Sequence, residues 1–471
     1  MISLIMESPM TKPIHAILIG AGNRGAQCYA PYALAHPDEL KFVAVAEPIA
    51  ERRKTFAEQH QIPEEMQFES WEPLLEKPVM GEVTLICTQD WQHTAQAVAA
   101  MRAGYHILLE KPMANKLEEC KQLLQVSQET ERQMRICHVL RYTPHFQKMR
   151  ELVQSGVLGQ IVQVDHRENV SFWHMAHSYV RGNWRNREQS SPMILAKCCH
   201  DLDILPWILG QKPTQLASVG SLIHFKVENA PEGATQRCLD GCPAADTCPH
   251  YAPHLYLEMA PFWNSIADTS KGFTRWAAHQ YTENPEMIKA LGWVVPALKQ
   301  IPEYAGWPLT ILAHQPTPEN VLEAIRSGPY GRCVYHCDND VVDHQVVMMQ
   351  FEDDTSVSLT MHGHSHYEYR STRIEGSHGR ILAEFGNGGS WIHLDEHRTD
   401  WHKEFDTSAE LGEGHGGGDF RLVASFLQSV REDAFEESLQ AARDALESHL
   451  LAFAAEESRL DGKFIEQDWW S

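Results

Sequence analysis

The sequence predicts an α/β N-terminal domain built on a parallel sheet, followed by an α+β C-terminal domain with an open, mainly antiparallel sheet. Three observations carry that prediction. Short apolar runs alternate with helix-like segments through the first third of the chain, as strands joined by crossover helices require. Glycines cluster directly behind the first apolar run. Beyond about residue 141 the rhythm changes to helices followed by several alternating strands. At 471 residues the chain exceeds one ordinary core, so two domains are expected, at 11–140 and 141–471.

The N-terminal elements follow in order. Residues 14–19 form a short apolar run suited to a buried strand, and Gly20-Ala21-Gly22-Asn23-Arg24-Gly25 follows it. A turn without Cβ atoms lets backbone N–H groups approach a pyrophosphate at the start of the next helix. A second apolar run, 42–46, ends at Glu47, where a carboxylate is placed to accept both hydroxyls of an adenosine ribose. Strand, glycine turn, helix, strand and acid together predict a dinucleotide-binding Rossmann domain. Residues 83–87 read as the next strand, with Thr88, Asp90 and His93 opening a helix to Arg102 that Gly104 stops. Residues 105–109 then run into Glu110-Lys111-Pro112, and a helix over 117–132 precedes a strand at 135–139.

Ligands of open α/β sheets sit at the carboxyl ends of the strands. The predicted cofactor contacts are therefore Gly20, Gly22, Asn23, Arg24, Gly25, Glu47, Thr88, Asp90, His93, Glu110 and Lys111. The cofactor expected is NAD rather than NADP, because Glu47 would repel a 2′-phosphate; Arg52 or Arg53 in the following turn would soften that preference.

In the second domain, 146–152 reads as a helix closed by Gly156 and Gly159, and 161–166 as a strand. Further strands are expected at 216–225, 341–351, 355–361 and 373–375. An insertion at about 227–332 carries Trp263, Trp276, Trp293 and Trp307, and a late helix spans about 419–430 with Asp419 as its N-cap. The stretch from His174 through His177, Tyr179, Arg181, Trp184 and Arg185 is dense in stacking and hydrogen-bonding groups. Aromatic faces pack on sugar C–H surfaces, while Arg and His read hydroxyls or carboxylates. It is either a substrate-binding loop or a domain-interface loop.

Composition narrows the partners. A net charge of −23 argues against non-specific binding to nucleic acid or anionic membranes. No stretch is apolar and long enough to span a bilayer. The first ten residues lack a basic region and a sustained apolar core, so no signal peptide is expected and the predicted location is cytoplasmic.

The glycine turn, Glu47 and Glu110-Lys111-Pro112, together with Cys199-His200-Asp201-Leu202-Asp203 followed by Trp207, resemble the Gfo/Idh/MocA oxidoreductase family over nearly the whole chain. The resemblance implies hydride transfer between nicotinamide and a hydroxyl or keto carbon of a sugar, cyclitol or related compound. It also implies a homo-oligomer assembled through the C-terminal sheet. Lys111 would stabilise a developing alkoxide, and His200, with Lys111 and Lys197, would handle the proton. Lys197, His200 and Asp203 are spaced to share a helix face. Either Asp203 orients the imidazole, or Asp201 caps the helix or pairs with Lys197. His415, in the glycine-rich loop before Asp419, is a further substrate contact in some relatives. The family's usual aspartate one turn before the histidine is replaced by Ala196, beside Lys197. Lys197 then takes over the polar role, or the proton path differs. The resemblance leaves two alternatives: a redox-neutral, NAD-retaining glycosidase or lyase, and a non-catalytic nucleotide-binding regulator.

Eleven cysteines in such a chain suggest thiols and a metal rather than a disulfide framework. Cys238, Cys242 and Cys248 lie on one proline-punctuated loop, which suits a tetrahedral structural zinc with a fourth donor from elsewhere. Cys333 is the first choice, because it lies where the insertion re-enters the fold. Cys337 and His250 are alternatives, as are an iron–sulfur cluster and a metal-free loop.

Overall fold

The computed structural model describes residues 12–270, 272–386, 389–408 and 414–469, without the side chains of 269, 414 and 415. The chain divides into two units, Met1–Val139 with Asp419–Leu446, and Leu140–Gly418 with Glu447–Ser471. The return of 419–446 to the first unit was not expected from the sequence.

The first unit holds a six-stranded parallel sheet of β1 (Ile14–Ile19), β2 (Leu40–Ala46), β3 (Gln67–Phe68), β4 (Val83–Ile86), β5 (His106–Leu109) and β6 (Met134–Ile136). Their order, β3-β2-β1-β4-β5-β6, is that of a doubly wound nucleotide-binding sheet. Ile17, Leu18, Ala44, Val83 and Leu109 are fully enclosed, because helices cover both faces and the strands read as continuous apolar runs. Gly104, at φ +110°, ends the helix His93–Ala103 in the left-handed region. Glu131 does the same for Leu117–Thr130 at φ +51°. The segment behind the glycine turn, Asn23–Tyr29, is wound as a π-helix. The late helix starts earlier than expected, covering Gly414–Arg431. Its Ser429 hydroxyl donates to Gln133 Oε1 at 2.8 Å, which pins the returning segment to the end of the sheet.

The second unit is built on nine strands: β7 (Ile161–Ser171), β8 (Pro213–Ser221), β9 (His344–Phe351), β10 (Ser356–Ser365), β11 (Tyr369–Gly376), β12 (Gly379–Gly386), β13 (Gly389–Glu396), β14 (Trp401–Asp406) and β15 (Ile465–Glu466). Their order is β14-β13-β12-β11-β7-β10-β9-β8-β15. Pairing is antiparallel except between β7 and β10. Burial alternates along β9, β10, β12 and β13, as expected for a sheet with one face on a core. That core includes Phe146 and Met149 from helix Pro144–Gln154 and Leu202 and Ile204 from helix Cys199–Leu209.

The insertion between β8 and β9 is helical, from Ala252–Tyr256 to Pro318–Ser327. The last of these helices is stopped from fraying by a capping box in which Thr317 and Asn320 satisfy each other's backbone N–H. The two ends of the insertion meet in an antiparallel bridge between Arg237 and Arg332. Among the described residues, no helix is long and apolar enough to cross a membrane.

Candidate active site

In the first unit the glycine turn leaves β1 at the point where the strand order reverses. Gly20 has φ +94°, and a Cβ there would lie 2.6 Å from the Cys87 carbonyl oxygen. A Cβ on Gly25 would lie 2.3 Å from Gly20 O, whereas one on Gly22 would meet nothing within 4 Å. Two glycines are thus required by packing, and the third leaves backbone open to an approaching ligand. Glu47, at the end of β2, is buried and accepts from the Ala21 N–H at 2.8 Å and the Ile49 N–H at 3.0 Å. The carboxylate is therefore held on the glycine turn where an adenosine ribose is expected. Arg53 Nη1 donates to the Glu47 carbonyl oxygen at 2.5 Å, so this arginine is turned to the backbone.

Several other predicted cofactor contacts serve the turn itself. Arg24 Nε donates to Glu110 Oε1 at 2.6 Å and Nη2 to Asp419 Oδ1 at 2.8 Å. Tyr29, also bonded to Arg24, donates its hydroxyl to Glu110 at 2.7 Å. Burial alone would raise the Glu110 carboxyl, but Arg24 and Lys111 hold it below its ordinary range. A second Glu110 oxygen accepts the Lys111 N–H at 2.8 Å. Glu110 thus fixes the backbone that presents Lys111, and Arg24 completes a buried ion pair rather than presenting a free guanidinium. Asn23 donates to Gln27, and Thr88 to Gln96. His93 is buried, with Nδ1 at 2.8 Å from Pro112 O and Nε2 at 3.3 Å from Thr88 O. It ties the turn after β4 to the turn after β5. Asp90 is also buried. Tyr29 and Asp419 were absent from the predicted set; Asp419 lies 395 residues from Arg24, beyond any local pattern.

In the second unit, His200 and Asp203 stand on helix Cys199–Leu209. Asp203 receives both ends of the Arg141 guanidinium, at 2.6 and 2.7 Å, which anchors it in place. Asp201 turns to the sheet instead of to Lys197. It lies 2.9 Å from His166 Nε2 on β7 and accepts from Arg370 Nε on β11 at 2.7 Å. Burial opposes its ionisation, yet Arg370 and His166 hold its pKa below the carboxylate range.

Lys197 is enclosed by carboxylates that the sequence reading missed. Its Nζ is 2.5 Å from Glu368 Oε1 and 3.4 Å from Glu168 Oε1. Burial works against the charge, but Glu168 and Glu368 raise its pKa, so it keeps its proton and does not fit the expected transfer role. Glu368 also holds His174, and burial is outweighed there by His174 and Lys197, which lower its pKa. Glu168 lies 2.5 Å from Arg370 Nη2, although neither of its oxygens has hydrogen-bond geometry. The attraction is Coulombic, and burial pushes this carboxyl up to about 7 against Arg370 and Lys197. His200 itself is buried.

The 174–185 stretch splits. His174 and Tyr179 belong to the Lys197 network, and Trp184 is half-buried next to Tyr179. His177, Arg181 and Arg185 are engaged in packing and bonds of the kind expected of an interface loop. His177 is buried, stacked on Tyr330 and lies 3.1 Å from the Tyr256 hydroxyl. Arg181 is buried and donates to Arg332 O and His250 O. Arg185 pairs with Asp338. All three join the stretch to the insertion. His415 lies outside the described side chains.

Cys238, Cys242, Cys248 and Cys333 line one small cavity with Arg181, His250 and Tyr335. Cys333 thus joins the three loop thiols, while Cys337 turns away and donates to Cys333 O. Among the described residues, no group of three or more His, Cys, Asp or Glu side chains converges closely enough to hold a metal ion as it stands. The eleven cysteines are all free thiols.

Known proteins share this architecture. Residues 14–138 match the model of an oxidoreductase family with an NAD-binding Rossmann fold, and 150–247 match that family's C-terminal alpha/beta domain. The putative oxidoreductase YteT of Bacillus subtilis is 24% identical over 36% of this chain and 40% of its own length. Inositol 2-dehydrogenase of Corynebacterium glutamicum is 26% identical over 43% of this chain and 56% of its own. The chain therefore matches only about half the length of these curated relatives. Among solved structures, the WlbA dehydrogenase of Chromobacterium violaceum, in complex with NADH and UDP-GlcNAcA, superposes with a TM-score of 0.60. It covers 98% of this chain and 99% of its own at 13% identity, a likeness of fold.

Proposed function

The chain belongs to the Gfo/Idh/MocA oxidoreductase family, and from that premise we propose that it transfers a hydride between NAD and a hydroxyl or keto carbon of a sugar, glycoside or polyol. The observation that carries this reading is the glycine turn of the first unit: open at Gly22, closed by packing at Gly20 and Gly25, and bonded to the buried Glu47 carboxylate. Those residues fit a dinucleotide, with Glu47 on the ribose hydroxyls and disfavouring a 2′-phosphate. When bound, the nicotinamide supplies the hydride acceptor or donor. For the oxidative direction His200 is the candidate acceptor of the hydroxyl proton, and the Lys111 ammonium the candidate cation for negative charge developing in the transition state. Lys197 acts as a fixed cation, positioned by Glu168 and Glu368, and orients substrate oxygen rather than carrying protons.

The test is NADH formation with a panel of cyclitols, sugars and polyols. Lys111→Ala should lower turnover by about 10²–10⁴-fold while NAD binding persists. Unaltered turnover would remove Lys111 from the chemistry, and substrate cleavage without net NADH would favour the redox-neutral alternative. The same proposal places the protein in the cytoplasm as a homo-oligomer paired through the nine-stranded sheet, where Val162, Val219 and Met348 are exposed. Sedimentation giving a monomer would contradict that assembly.

A further inference from the structure

We infer that Cys238, Cys242, Cys248 and Cys333 bind a single zinc ion that clasps the two ends of the insertion and braces the 174–181 stretch. Placement is the first argument. The chain between Cys248 and Cys333 makes a long helical excursion, yet all four thiols line the same cavity. Backbone bonds already register the two ends: Cys238 N–H donates to Gly331 O and Cys333 N–H to Gln236 O, both at 2.9 Å.

The second argument is electrostatic. Four thiolates around a divalent ion leave a net charge of about −2, which is costly to bury without a counter-cation. Arg181 supplies one. It is 1% exposed, faces the cavity, donates to Cys238 Sγ at 3.5 Å, and has no carboxylate partner among the described residues. Its bonds to the Arg332 and His250 carbonyls satisfy N–H groups but leave the buried charge without an anion. His250, 3% exposed, also leaves its Nδ1 without a partner at the cavity wall.

The third argument concerns size and spacing. The cavity has room for about one water-sized sphere, which suits one ion and excludes a multi-iron cluster unless the loop expands. Loading exchanges four S–H protons for four S–Zn bonds, with no redox change, and draws the sulfurs together. Since Arg181 ends the helical segment Met175–Arg181, the same ion fixes the stretch that carries His174 and Tyr179. Only this last consequence depends on the proposed function.

Elemental analysis of the full chain purified without added metal should give one zinc per chain. Cys242→Ser and Cys333→Ser should each lower retained zinc at least tenfold. Cobalt(II) titrated into chelator-treated protein should produce thiolate charge-transfer and tetrahedral d–d absorption. Chelator treatment of the unaltered protein should also expose the insertion to protease cutting between residues 248 and 333, with zinc restoring protection; this arm needs no variant to fold. Metal-free protein that shows full protease resistance and no cobalt spectrum would overturn the proposal, and so would iron–sulfur absorption. None of these readouts involves turnover, so failure here leaves the hydride-transfer reading standing, and the reverse holds as well.

Discussion

The two charged centres of this molecule are built from the same residue types and behave differently. In the first unit Arg24, Glu110, Tyr29 and Asp419 form a cluster in which one cation bonds two carboxylates, each with hydrogen-bond geometry. In the second, Lys197 and Arg370 face Glu168, Asp201 and Glu368, and Glu168 is left with Coulombic contacts alone. The first cluster locks a backbone through bonds to every charged member. The second holds a carboxyl without hydrogen-bond partners, its pKa near neutral, at a lysine, an arrangement that is poor for stability and useful for binding.

The largest effect expected from this contrast is in the second cluster. Arg370→Met leaves Asp201 and Glu168 buried without their guanidinium and should cost about 3–5 kcal/mol, measured by denaturant unfolding. Arg24→Met should cost less, about 2–3 kcal/mol, because Arg24 is 24% exposed and water can reach its partners. Equal losses would mean that the two clusters are energetically alike.

The pH dependence separates them further. The Asp201 and Glu368 pKa values are depressed in the folded chain, so their stabilisation is present above the unfolded carboxylate pKa of about 4 and fades as pH falls. Glu168 has the opposite sign. Its folded pKa of about 7 exceeds the ordinary carboxyl value of 4.5, so the folded state binds the extra proton and stability declines as pH rises from about 4.5 to 7. Glu168→Gln should flatten thermal stability across that window; an unchanged slope would mean that Glu168 is ionised throughout.

The smallest predicted effect tests the nucleotide turn. Glu47→Ala should weaken NAD binding about tenfold, near 1.4 kcal/mol, and narrow the gap to NADP in a titration of both cofactors. Tighter NADP binding by the unaltered protein would overturn the cofactor assignment.

The same contrast explains what could be read in the sequence. The glycine turn, Glu47 and Glu110-Lys111-Pro112 are contiguous signals whose chemistry is fixed by adjacent residues. Five of the six strands of the parallel sheet were legible because they are largely apolar runs; the two-residue β3, Gln67–Phe68, carries no such signal. Glu168 and Arg370 lie about 200 residues apart and meet only because β7 pairs with β11. In isolation each reads as an exposed charge on a half-polar strand. Strands β12 to β14 escaped because their alternation is diluted by Glu, His, Asp and Lys on the open face. The helical spacing of His200 and Asp203 was legible, but not that Arg141 would claim the carboxylate. The four cysteines were a partial success: three share a loop, and the fourth could be guessed only from where the insertion returns.

The most direct test of the account is a paired measurement on His200→Ala and the unaltered protein with NAD and an oxidisable cyclitol or sugar. The account predicts equal NAD affinity in both, NADH formation in the unaltered protein, and a loss of about 10²–10⁴-fold in the variant across neutral pH. NADH formation at the same rate in both proteins would contradict it.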